Sequence, residues 1–142
     1  MNSERFTSEE FHQFVQDHLE EDPAGLLFKY QGKVAFDLKT AVQQIAARQK
    51  ASKKLPTWSK NLKLLFPASI SVEQCSSEQT AAFKSAGRRG GWMVDLTGGF
   101  GVDFFYLSRG FEKGVYCEQQ AELFQISQHN LSTLNPDKFE FV

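Results

Sequence analysis

Little in this sequence suits a metal centre, a membrane span or a phosphate-gripping lysine loop. Its two cysteines, Cys75 and Cys117, are far apart and lack metal-ligand spacing. They are expected to be reduced thiols in a cytoplasmic protein. No apolar run reaches membrane-spanning length, and the polar, acidic start is no secretion signal. The three histidines, His12, His18 and His129, stand at neither ligand nor catalytic-triad spacing, so no metal site is expected. A formal net charge of −1 gives no overall pull toward nucleic acid or membrane. What is present is ordinary for a soluble globular protein: 41 % hydrophobic and 23 % charged residues over 142 positions. Fourteen phenylalanines argue for a packed interior rather than disorder.

The near-zero net charge hides a polarised first half. Between Glu4 and Asp22 the acids Glu4, Glu9, Glu10, Asp17, Glu20, Glu21 and Asp22 face one base, Arg5. Between Lys39 and Lys63 there are seven bases and no acid. Within that stretch Arg48, Lys50, Lys53 and Lys54, together with Trp58, form a candidate surface for tracking an RNA backbone and stacking a base. A solvated helix face balanced by the acidic first helix is the alternative, and the sequence favours it.

The first sixty-odd residues read as helices. Thr7 and Glu10 have capping-box spacing ahead of Phe11, Phe14, Val15 and Leu19. Asp22-Pro23 ends that helix and starts another, with Pro23 at its first position. Asp37 caps a third helix with Leu38, Ala41, Val42, Ile45 and Ala46 on one face. After Leu55-Pro56, the residues Trp58, Leu62, Leu65 and Phe66 make one more short stripe, stopped by Pro67. Ser76 and Gln79 repeat the capping-box spacing, and Gly87 terminates the helix they begin.

An alternation of strands and helices follows. A short buried strand is expected over Trp92 to Leu96, a helix over Asp103 to Arg109, and a second strand over Gly114 to Glu118. A helix over Gln120 to Leu131 and a third strand from Phe139 complete the pattern. Asn135-Pro136-Asp137 reads as a turn. Between the first strand and helix lies Asp95-Leu96-Thr97-Gly98-Gly99-Phe100-Gly101, and Glu118 follows the glycines by roughly twenty residues, the order of an adenosine pocket in a doubly wound fold.

Three cofactor classes use such a turn. A P-loop needs Gly-Lys-Ser/Thr, and no lysine lies between Arg89 and Lys113. A dinucleotide fingerprint begun at Gly99 needs its third glycine where Phe104 stands, which disfavours a nicotinamide oxidoreductase. S-adenosylmethionine remains. It brings a sulfonium and an ammonium but no phosphate, so the carboxylate of Asp95 attracts it where it would repel a pyrophosphate. Glu118 can accept from both ribose hydroxyls. The candidate cofactor residues are thus Asp95, Thr97, Gly98, Gly99, Phe100 and Gly101 in the turn. Asp103 at the helix start, and Glu118 with its neighbour Gln119, complete the set.

On these residues the sequence resembles the class I S-adenosylmethionine-dependent methyltransferases. Within them it is most similar to bacterial members with a helical N-terminal region and a C-terminal THUMP-like domain. The shared pattern is Leu55-Pro56-x-Trp58, then Glu73-Gln74-Cys75-Ser76-Ser77-Glu78-x-Thr80-Ala81, then Lys84, then the Asp-Leu-x-x-Gly-x-Gly turn, over roughly Phe14 to Leu131. Trimethylguanosine synthases and some ribosomal RNA methyltransferases show a looser version. The resemblance implies that Gln74, Ser76 and Ser77 contact the amino-acid end of the cofactor, with helix capping as the other reading of Ser76. It also implies RNA as the substrate.

The expected fold class is α/β: a helical domain over 1–68, then over 69–142 the first half of a Rossmann-like cofactor domain with about three parallel strands. So few strands imply an N-terminal piece of a longer protein, partnered by its own C-terminal remainder. In methyltransferases acting on a base amine, a proline-pair motif after strand four orients the acceptor; this chain holds none, so it is expected to be inert alone. The rival function is a non-catalytic RNA- or protein-binding module with a vestigial nucleotide fold.

Overall fold

The structure, a computed structural model, describes residues 8–142. Helices α1 (Glu9–Asp17), α2 (Pro23–Tyr30) and α3 (Leu38–Ala51) come first, then α4 (Pro56–Lys60), α5 (Ser69–Gln74) and α6 (Glu78–Ser85). Strand β1 (Gly90–Asp95), helix α7 (Val102–Ser108), strand β2 (Phe111–Tyr116), helix α8 (Ala121–Leu134) and strand β3 (Phe139–Phe141) follow. The strands lie parallel in the order β1-β2-β3. Among the described residues no helix is long and apolar enough to cross a membrane.

The helix starts follow local side-chain chemistry. Asp22 accepts from the Gly25 N–H (2.7 Å) with Pro23 next in line, and Asp37 accepts from the Thr40 N–H (3.1 Å). The expected cap Thr7 lies outside the described residues; Ser8 takes that role, accepting from the Phe11 N–H at 3.1 Å. At α6 the cap is Ser77 rather than Ser76, and Gly87 follows the helix at φ 73°.

Two apolar interiors meet at α3. Phe11, Phe14, Val15, Leu26, Ala41, Val42 and Ile45 form the first. The second joins Ala47, Ala51, Leu55 and Trp58 of the helical part to Phe100, Val102, Tyr106, Leu123 and Ile126 of the α/β part. The core is therefore continuous across residue 68. On one face of the sheet Phe104, Tyr116 and Leu131 pack with Met93, Phe124, Phe139 and Phe141.

Two further expectations needed correction. Residues 61–66 do not extend α4: they run irregularly, because side chains rather than a helical ladder satisfy their backbone. Gln44 bonds both the N–H and the carbonyl of Phe66 (2.9 and 2.8 Å), and Asn130 does the same for Leu65 (2.8 and 2.7 Å). His129 adds a bond to the Lys63 carbonyl at 2.8 Å. Strand β1 is not buried. It pairs with β2 on one side, and Trp92, Val94 and Leu96 are 58 %, 58 % and 77 % exposed.

Candidate functional site

At the C-terminal ends of β1 and β2 an open cavity of about 490 Å³ is bounded by the 95–103 turn, residues 118–120 and the α5–α6 junction. That volume falls within the range of small-molecule sites. The turn is held to the sheet at several points. Cys117 N–H donates to the Asp95 carbonyl (2.9 Å), and Gly98 N–H donates to the Cys117 carbonyl (2.8 Å). Gly99 and Gly101 sit at φ 56° and 87°, the left-handed region that glycine enters without strain. The Gly99 carbonyl accepts from the Tyr116 hydroxyl and from Ser127 Oγ (2.9 Å). Burial pushes the Tyr116 phenol up to about 12, so it stays a donor at neutral pH.

The predicted acids converge here. Asp95 Oδ1 accepts from the Thr97 N–H at 3.0 Å. Glu118 spans the site, its Oε2 accepting from the Gly99 N–H (3.0 Å) and its Oε1 from the Gln120 N–H (2.8 Å). A carboxylate accepts about four hydrogen bonds, so Glu118 keeps capacity for a vicinal diol. Asp103 Oδ2 accepts from Ser76 Oγ (2.9 Å) and Lys84 Nζ (3.2 Å), while its Oδ1 is buried without a donor. Three carboxylates thus border one cavity whose described lining holds no lysine or arginine. Such a space favours a cationic or hydroxyl-rich ligand and disfavours a pyrophosphate.

Of the predicted cofactor residues, Gln74, Ser76, Asp95, Thr97, Gly98, Gly99, Phe100, Gly101, Asp103, Glu118 and Gln119 line the cavity. Phe100 does so at its backbone end: its ring is buried against Trp58 and Phe66, with centroids 5.3 and 5.4 Å away. Ser77 lies outside the lining and is occupied as the α6 cap, accepting from the Thr80 N–H at 3.0 Å. Ser71, Cys75, Leu96, Val102, Gln120 and Leu123 also line the cavity and were not expected. Ser71 comes from α5, for which the sequence offers no cap signal. Cys75 donates to the Val72 carbonyl, and burial pushes its thiol up, away from nucleophilic reactivity.

Two members of the candidate RNA surface, Trp58 and Arg48, lie inside the fold. Trp58 is 1 % exposed and belongs to the core, so it offers no face to a base. Arg48 is 4 % exposed and donates to the carbonyls of Ser59, Asn61 and Leu64. Lys54 donates to the Val72 and Glu73 carbonyls (3.1 and 2.6 Å) at the end of α5, and Lys50 pairs with Glu73 at 3.3 Å. Lys53 is exposed. The histidines stand away from the cavity: His18 pairs with Glu21 at 2.6 Å and His12 packs edge-on against Phe11.

The structure also joins two segments of the resemblance physically, Leu55-Pro56-x-Trp58 and the one that carries Glu78. Glu78 Oε1 accepts from the N–H groups of Thr57 and Trp58 (both 2.9 Å), capping α4 from another helix.

The parallel sheet, the glycine turn and the cavity at the strand ends define a methyltransferase-like α/β fold. Over all of its length the chain is similar to a crystal structure from Porphyromonas gingivalis W83 of a protein provisionally named a methyltransferase. The TM-score is 0.82 and the identity 25 %, and the match covers 35 % of that longer chain. No family model and no curated protein matches this sequence.

Proposed function

We propose that this chain binds S-adenosylmethionine in the cavity at the strand ends and serves in methyl transfer. The observation that carries the reading is the meeting of Asp95, Asp103 and Glu118 around a glycine turn whose lining holds no cation, Lys84 pairing with Asp103 from beside it. A sulfonium nucleoside is drawn to such a site, and a dinucleotide or triphosphate is repelled. The similarity to the Porphyromonas protein supports the same class of chemistry. In this reading Glu118 holds the ribose diol, the glycine backbone lies against the nucleoside, and the α5–α6 junction faces the amino-acid end.

Calorimetry with S-adenosylhomocysteine tests it. The wild-type protein is expected to bind, and Glu118→Ala to lose at least about a hundredfold in affinity, since two charge-assisted hydrogen bonds are removed. NADH is expected not to bind. Absence of S-adenosylhomocysteine binding at millimolar concentration would favour the non-catalytic module instead.

RNA as the methyl acceptor rests on the family resemblance and on the remaining exposed bases of the 48–63 segment. Reversing Lys50 and Lys53 to glutamate is expected to weaken RNA binding several-fold at low salt, with a smaller effect at high salt. Unchanged affinity in a filter-binding titration removes this substrate class from the reading.

A further inference from the structure

Lys84 is part of the pattern that carries the resemblance, yet the cofactor reading so far assigns it nothing. It lies in the last turn of α6, and its stem runs back along the helix, the direction in which helical side chains lean. That places Nζ 3.0 Å from Ser76 Oγ and 3.2 Å from Asp103 Oδ2. Both of those residues line the cavity, and Ser76 Oγ donates to the same Asp103 oxygen at 2.9 Å. The ammonium is therefore pinned beside the cavity wall with its side chain 50 % exposed. It carries three donors, and these two contacts occupy two of them.

The cavity's charge makes this lysine matter. A nucleoside bearing an α-amino acid through sulfur brings a carboxylate as well as an ammonium. Three carboxylates in the lining oppose the ligand's own carboxylate unless a cation meets it. The ammonium of Lys54 is already committed to the carbonyls that end α5. Asp103, with a buried Oδ1 that lacks a donor, keeps acceptor capacity for the tail's ammonium after a small turn of its carboxylate.

We infer that Lys84 binds the carboxylate of the cofactor's amino-acid tail and so selects for nucleosides that carry one, with Ser76 and Asp103 aiming its ammonium. This rests on the cofactor reading above. It separates the two ends of the site: Glu118 recognises the nucleoside, Lys84 the tail.

Two ligands distinguish the ends. S-Adenosylhomocysteine has the tail, and 5′-methylthioadenosine keeps the nucleoside and sulfur but lacks the amino acid. In calorimetry Lys84→Met is expected to weaken S-adenosylhomocysteine roughly tenfold to a hundredfold, the range of one charge-assisted hydrogen bond, and to leave 5′-methylthioadenosine unchanged. Lys84→Arg is expected to keep most of the affinity, and Glu118→Ala to weaken both ligands. Equal losses for the two ligands in Lys84→Met, or no loss for either, overturn the assignment while the cofactor reading stands. A wild-type protein that binds neither ligand overturns the cofactor reading and this inference with it. Because Lys84 is half exposed, melting temperatures of its variants are expected to match the wild type.

Discussion

Gly98→Ala is expected to disrupt the turn and to destabilise the fold by about 2–4 kcal/mol, the scale of forced overpacking plus a lost buried hydrogen bond. A β-carbon at position 98 would lie 2.1 Å from Tyr116 Cε2 and 2.4 Å from Cδ2. The ring cannot swing aside cheaply. Tyr116 is fully buried, packed near Phe104, Phe124 and Phe141, and its hydroxyl is bonded to the Gly99 carbonyl. Displacing it also moves the Gly99 N–H that Glu118 holds, so S-adenosylhomocysteine binding should fall at least about tenfold. Urea unfolding and calorimetry measure the two effects. The same alanine introduced beside Tyr116→Leu should cost much less than it does alone, because the smaller side chain gives the methyl group room. Additive costs would show that the strain has another source.

Much of the candidate site's lining was legible because these residues are local in sequence. Asp95, the glycines and Asp103 sit on one strand–turn–helix segment, and a carboxylate about twenty residues on marks the end of the next strand. Ser76 and Ser77 show where that legibility stops. Adjacent hydroxyls at a helix start look equivalent in a sequence, and only the chain's path decides which one caps the helix and which turns to Asp103. Lys84 likewise gained meaning only when α6 was laid against α7.

For the fold, the helix starts at Asp22 and Asp37 and the β-α alternation were readable, since caps and periodicity act within a few residues. Strand β1 misled because an apolar run of that length reads as a central strand. Its exposure depends on what flanks the sheet, not on its own residues. The 61–66 segment misled because a helical apolar stripe also occurs where buried side chains from distant helices bind the backbone. The basic stretch was favoured as a solvated helix face, and Arg48 departs from that reading. Charge type says nothing of where a side chain points, and Arg48 points inward.

Arg48→Met should therefore weaken the fold by about 3–5 kcal/mol rather than any RNA affinity, a large share of the roughly 5–15 kcal/mol that stabilises a typical domain. The guanidinium donates to Ser59, Asn61 and Leu64 carbonyls and stacks 4.9 Å from the centre of the Phe66 ring, holding together the segment that carries Trp58 into the core. Burial pushes it down to about 10, which leaves it charged at neutral pH. Methionine matches the stem but offers no donor, so the carbonyls of Ser59 and Leu64 lose the guanidinium and that of Asn61 keeps the Leu64 N–H, where water is largely excluded. Arg48→Lys keeps the charge but not the planar fork, and should recover part of the loss and remain folded. Urea midpoints for wild type, Lys and Met variants should fall in that order. A Met variant within about 1 kcal/mol of wild type would mean that Gln44, Asn130 and His129 secure the 61–66 segment without the guanidinium.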